Sequence, residues 1–172
     1  IMKSFIITTC LLAFAATLPA QPLPQYELSI QNPVLSGGSI YQFDIVAKRI
    51  GATPFRLGNS QCILTFNAGN FSAPAITRVP ASEQIGSGFF FDELIVGNEI
   101  RVSIGGNGSC AAASDIATIG TRIATYQVSG VNVPILSAGL LWVNPPSLIR
   151  TGISEINAAD NYRDLTNAAS HI

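Results

Sequence analysis

Ile40-Tyr41-Gln42-Phe43-Asp44-Ile45-Val46-Ala47-Lys48-Arg49 is the stretch on which the fold turns. Tyr41, Phe43 and Ile45 fall on one side of an extended chain and Gln42 and Asp44 on the other, the period of two that marks a half-buried strand. Working outward, the same alternation recurs between clusters of Gly, Pro, Asn and Ser. It predicts strands over residues 26–30, 40–49, 61–66, 75–79, 88–94, 99–104, 122–128 and 135–143. Short strands, dense turn signals and no long helical period predict an all-β, two-sheet antiparallel β-sandwich over residues 26–146.

The N-terminus has a different grammar. Lys3, an apolar stretch over residues 5–18 and small residues up to Ala20 have the order of a secretory signal peptide, with cleavage expected after Ala20 and a short linker over residues 21–25. Thr8, Thr9, Thr17 and Pro19 make the stretch too interrupted for a spanning helix of about 20 apolar residues, so no stable membrane span is expected after cleavage. Cys10 lacks a lipobox before it and belongs to the discarded peptide. Residues 147–172 are more polar. They are expected to be a tail or linker, with a weak helix at most over residues 154–169, leading into a further module.

Removing residues 1–20 from 172 leaves 152, one domain with room for a core. Charged residues are 11% of the chain, against about 25% in typical soluble domains. No basic run points to nucleic acid, and so sparse a charge leaves little to oppose self-association. Two cysteines remain, Cys62 and Cys110. In an oxidising compartment an even pair is expected to form a disulfide, which would contribute about 4 kcal/mol by loop closure.

Catalysis has little material. The single histidine, His171, stands one residue from the end, in the segment expected to be a mobile tail, which leaves no ordered Ser-His-Asp or Cys-His arrangement. Asp44, Asp92, Glu93, Glu99 and Asp115 are expected on solvated faces or turns, not as a pair about 5–10 Å apart in a cleft. No enzyme is expected. Gly106-Asn107-Gly108-Ser109-Cys110-Ala111 has the spacing of a dinucleotide fingerprint but lacks the helix and the later acidic residue, so it reads as a hairpin loop. Asp160-Asn161-Tyr162-Arg163-Asp164 fails the EF-hand pattern at its third and sixth positions. No cofactor is implied; a structural calcium ion on Asp or Asn side chains of the loops is the one metal with suitable donors. Asn70-Phe71-Ser72 and Asn107-Gly108-Ser109 match glycosylation acceptors.

Exposed rings would signal sugar binding. The candidate ligand contacts are Phe90, Tyr41 and Trp142. Trp142 lies in a run apolar on both faces, which favours core packing. In Phe89-Phe90-Phe91 successive rings must face opposite ways, so Phe90 is expected to point away from the core.

The run from Tyr41-Gln42-Phe43-Asp44-Ile45 through Pro54-Phe55-Arg56-Leu57-Gly58-Asn59-Ser60 to Cys62-Ile63-Leu64-Thr65-Phe66-Asn67 resembles the cohesin-like, carbohydrate-binding-like β-sandwich modules in secreted proteins of Bacteroidetes and related bacteria. Gly120-Thr121-Arg122-Ile123-Ala124-Thr125-Tyr126-Gln127-Val128 is similar to a cohesin-type strand, and the resemblance covers residues 26–143. It implies a jelly-roll-like sandwich that works by adhesion, assembly or scaffolding through a sheet face, as a secreted or cell-surface module. Its partner would be a protein or polysaccharide at the surface; the alternative is a carbohydrate-binding module attached to a larger extracellular enzyme.

Overall fold

The computed structural model describes residues 22–106, 108–132, 138–144, 150–167 and 170–172. The expected signal peptide, Asn107 and the start of the eighth expected strand lie outside them. Among the described residues ten strands follow in order: β1 (Tyr26–Ser36), β2 (Ile40–Arg49), β3 (Ser60–Thr65), β4 (Ile76–Arg78), β5 (Phe90–Val96), β6 (Glu99–Gly105), β7 (Thr121–Ser129), β8 (Leu141–Trp142), β9 (Ser154–Ile156) and β10 (Tyr162–Asp164). They form two four-stranded sheets, β1-β2-β7-β4 and β5-β6-β3-β8, and a β9-β10 hairpin, with every named strand pair antiparallel. This is the expected all-β sandwich. No helix among the described residues is long and apolar enough to cross a membrane.

The alternation in β2 sets the inner layer. Tyr41, Phe43, Ile45 and Ala47 are buried and pair in register with Val128, Tyr126, Ala124 and Thr121 of β7. Across the gap, β3 sends Cys62 and Leu64 inward and β6 sends Ile100, Val102 and Ile104. Each such large side chain contributes about 1.5–3 kcal/mol on burial. Tyr41, a candidate ligand contact, is corrected by this register: its ring packs 6.1 Å from that of Phe43 inside the core.

The disulfide is a second correction, since both Cys62 and Cys110 are free. They belong to different apolar clusters. Cys62 faces the gap between the sheets, where burial pushes its thiol up to about 12. Cys110 opens a three-residue 3₁₀ turn, Cys110–Ala112, and packs with Ala113, Ile156 and Phe89. Its Sγ accepts from Arg56 Nη1 at 3.2 Å. Each thiol acts as a small buried hydrophobe, and sequence parity carries no information about which cluster a cysteine joins.

The expected tail is a third correction. Strand β8 covers only two residues of the β3 edge, and the chain returns to pair Gln61 with Gly152 and Leu57 with Glu155. The β9-β10 hairpin replaces the expected helix, because Asn157 Oδ1 accepts the amides of Ala159 and Asn161 and Asp160 adopts a φ of 57°, turn chemistry that a helix cannot absorb. Ile153, Ile156 and Leu165 are buried beneath it. Finally His171 bridges Leu28, and the Ile172 amide donates to Leu28 O at 2.8 Å, so Gly152 reaches the β3 edge of one sheet and His171 and Ile172 the β1 edge of the other.

Candidate binding face

The outer face of β5-β6-β3-β8 is a grid fixed by register. Its rows run Phe90–Gly105, Asp92–Ser103–Gln61, Leu94–Arg101–Ile63 and Val96–Glu99–Thr65–Leu141. Because Ile100, Val102 and Ile104 face the core, their neighbours on β6 must face out. Four apolar side chains are left in water here: Phe90 at 64% exposure, Leu94 at 40%, Val96 at 42% and Leu141 at 68%. The charges between them are largely spent on each other, since Glu99 Oε2 accepts from Arg101 Nε at 2.9 Å and Nη2 at 2.7 Å. The residues of the Phe run obey period two: Phe89 and Phe91 pack against the core and Phe90 is out.

Trp142, the third candidate contact, faces inward opposite Leu64 and packs partly against the core. Its indole N–H donates to Ile172 O at 2.9 Å. That leaves Phe90 as the candidate contact that the fold places on a surface.

At one end of this face, beside the β3 edge, lies an open groove of about 520 Å³ with Asn59, Gln61, Ser103, Arg150, Ser154 and Asp164 among its walls. Asp164 Oδ1 accepts the Thr166 amide at 2.9 Å, and hydrogen bonds from Thr166 hold its carboxyl below the usual range. Sequence reading missed this groove because half of its wall comes from the segment expected to be a tail.

The acidic candidates do not converge. Glu93 faces inward and accepts the Arg78 amide at 3.0 Å, Asp115 pairs with Arg56 at 2.9 Å, and Asp92 and Glu99 lie two rows apart. Asp44 is on the opposite outer face, buried rather than solvated as expected: Thr125 donates to Oδ1 at 2.5 Å, Asn32 to Oδ2 at 2.8 Å, and Arg122 lies at 4.0 Å. A buried acid that went unpredicted, Glu155, pairs with Arg163 across the hairpin. Among the described residues no group of three His, Cys, Asp or Glu side chains comes together as a metal site.

His171 is buried and ordered, which corrects its expected place in a mobile tail. Its Nδ1 faces Asn144 Oδ1 and must be the donor, so Nε2 accepts the Tyr26 hydroxyl proton at 2.9 Å. Tyr26 Oη in turn accepts the Asn167 amide at 3.0 Å. Burial pushes the imidazole down to about 4 and the Tyr26 phenol up to about 12. Both ring nitrogens are thus spent on holding β1 to the segment after β8, which makes His171 a structural clamp.

The strand order defines a two-sheet antiparallel β-sandwich. No protein-family model matches the chain, and no curated protein matches it. Among solved structures it is similar to a non-cellulosomal cohesin from the hyperthermophilic archaeon Archaeoglobus fulgidus, at 16% identity and a TM-score of 0.43, over 80% of this chain and 82% of that one. The fold assignment here rests on the register and strand order of the chain itself.

Proposed function

We propose that the chain is an exported, non-enzymatic module that docks a partner protein at the cell surface or outside the cell through the outer face of β5-β6-β3-β8. One observation carries the reading: Phe90, Leu94, Val96 and Leu141 are exposed together on one sheet face, whereas the polar side chains of the other outer face are bonded to one another. Apolar side chains with a polar surround are what a protein interface presents. The dispersed carboxylates and the clamped histidine support a non-catalytic role. Export rests on Lys3 and the apolar stretch over residues 5–18, and N-terminal sequencing of the mature protein should begin at Gln21.

The docking test compares Leu94→Arg/Leu141→Arg with Thr77→Arg on the opposite sheet. A partner held by the native chain, isolated from the surface or culture fluid of its source, should be lost with the first pair and kept with Thr77→Arg. Retention by the double variant, or a clean monomer with no partner, contradicts the reading. A second reading, a saccharide ligand, is favoured by the exposed Phe90 ring and the neighbouring polar groove.

A further inference from the structure

Three apolar side chains stand in water at one end of the sandwich, away from both sheet faces. Leu23 is 54% exposed, Ile50 55% and Ile119 94%. Backbone hydrogen bonds bring their segments together. Gln25 O accepts the Ile50 amide at 3.0 Å and the Gly51 amide at 3.4 Å, while Ala117 O accepts the Arg49 amide at 3.0 Å. Ile50 therefore stands where β2 ends, with the chain entering β1 on one flank and the turn over residues 117–120 on the other. That turn is closed from within, since Thr121 Oγ1 accepts the Ala117 amide at 2.8 Å and the Gly120 amide donates to Ala117 O at 3.3 Å. Its closure pushes Thr118 and Ile119 out into solvent. A single exposed apolar residue is ordinary on any protein. Three on adjoining segments form a blunt apolar tip, where turns in water carry Gly, Asn, Asp or Ser instead.

The charge behind the tip is basic. Lys48 and Arg49 end β2 directly before Ile50, and among the described residues neither makes an ion pair. Arg49 Nη1 donates to Gly51 O at 3.3 Å and to Ala52 O at 2.9 Å, which fixes its guanidinium beside the tip. Residues 22–26, 50–54 and 116–121 contain no Asp or Glu. The acids next to them are matched: Asp115 pairs with Arg56 at 2.9 Å, and Glu27 lies opposite Lys48 in the β1-β2 register, which leaves Arg49 as the uncompensated charge. Apolar side chains backed by a cation are complementary to an anionic lipid surface, whose acyl boundary takes the first and whose headgroups take the second. The course of the chain favours lipid over a protein partner. The apolar stretch over residues 5–18 joins the domain at this end, just before Leu23, so the tip is the part of the domain nearest to the bilayer that a signal peptide enters during export.

We propose that this end of the sandwich is a membrane-contact site: Leu23, Ile50 and Ile119 dip into the interface of an anionic bilayer, and Lys48 and Arg49 meet its headgroups. The inference rests on the export half of the reading above, which N-terminal sequencing tests by itself, and is separate from docking by the β5-β6-β3-β8 face. The test is co-sedimentation of the exported chain with vesicles of phosphatidylcholine alone or mixed with phosphatidylglycerol. The chain should pellet with the mixed vesicles, and less so in high salt or with phosphatidylcholine alone. Ile119→Asp should lower the partition coefficient about tenfold. Val34→Asp, the same change of charge at an exposed position near the opposite end of β1, should leave it within about twofold. Lys48→Gln should weaken binding to the mixed vesicles only. Because Val34 and Ile119 are exposed, both Asp variants should keep the native circular dichroism, so a loss is read at the site. No pelleting with either vesicle overturns the proposal, as does binding that Ile119→Asp leaves unchanged or that falls equally in Val34→Asp. A chain that stays off vesicles and elutes as a dimer broken by Ile119→Asp would give the tip to a second copy and overturn it as well.

Discussion

The two outer faces of the sandwich are built by the same alternation and end differently. On β1-β2-β7-β4 the outward polar side chains bond one another, beside a single exposed apolar one, Val34: Thr125 and Asn32 donate to Asp44, Gln31 donates to Ser29 at 2.9 Å, and Gln127 donates to Gln42 at 2.9 Å. Residues 79–84 also lie along this sheet, where Ser82 Oγ accepts the Thr125 amide and Arg122 Nε donates to Ser82 O. On β5-β6-β3-β8 no comparable side-chain network over Phe90, Leu94, Val96 and Leu141 is present among the described residues, and all four are exposed. One face is largely bonded to itself, and the other keeps four apolar side chains in water. The difference lies in partners supplied from distant residues, not in the period of the strands.

Asp44→Ala should break the closed face most severely. It would strand the Thr125 hydroxyl and the Asn32 amide in a buried setting, for a loss of about 2–3 kcal/mol read from the denaturant midpoint. Asp44→Asn should recover part of that loss. A substitution at Asp44 that left the midpoint unchanged would show that the network does not seal the face.

The clamp behind the open sheet should respond to pH. The imidazole sits near 4 when folded and about 6.5 when unfolded, so between these values the unfolded chain binds the extra proton. Stability is therefore complete above about pH 6.5, falls progressively as the pH drops, and the loss is complete below about 4. The neighbouring titratable groups act in other windows: Tyr26 is raised to about 12, and Asp164, lowered from 3.8, acts only in stronger acid. Melting at pH 7.5 and 4.5 should show a clear drop for the native chain and a smaller one for His171→Gln. Equal drops in the two proteins would mean that His171 is not the group responsible.

The open face should be nearly silent in stability. Leu94→Arg and Leu141→Arg should stay within about 0.5 kcal/mol of the native protein, as expected for exposed positions away from any buried network. A loss comparable to that of Asp44→Ala would mean that these side chains are part of the fold. Smallest of all, alkylation in denaturant without reductant should label two thiols, Cys62 and Cys110, with no change in melting when reductant is present. A mass two hydrogens lighter, with neither thiol labelled, would restore the disulfide.

The legible parts of the molecule were those where period two runs for six or more residues. Strands β2 and β7 announce their inner faces through Tyr41-Phe43-Ile45 and Ala124-Tyr126-Val128, and the same logic turned Phe90 outward between Phe89 and Phe91. The hairpin β9-β10 has three residues per strand, too few for any period to emerge. Its burial comes from Ile153, Ile156 and Leu165, of which the first two have helical rather than strand spacing. The groove was hidden for that reason, and Tyr162 with it. Asp44 was placed on the correct face and given the wrong environment, because its partners Asn32 and Thr125 lie 12 and 81 residues away in the chain.

The most direct test of the asymmetry between the faces places a photo-crosslinking side chain at Leu94, at Leu141 or at Gln42 in the chain as its source produces it. Irradiation should give a discrete protein adduct from positions 94 and 141 and none from position 42. Adducts from position 42 alone, equal adducts from all three, or none from any position would contradict the assignment of the β5-β6-β3-β8 face as the binding surface.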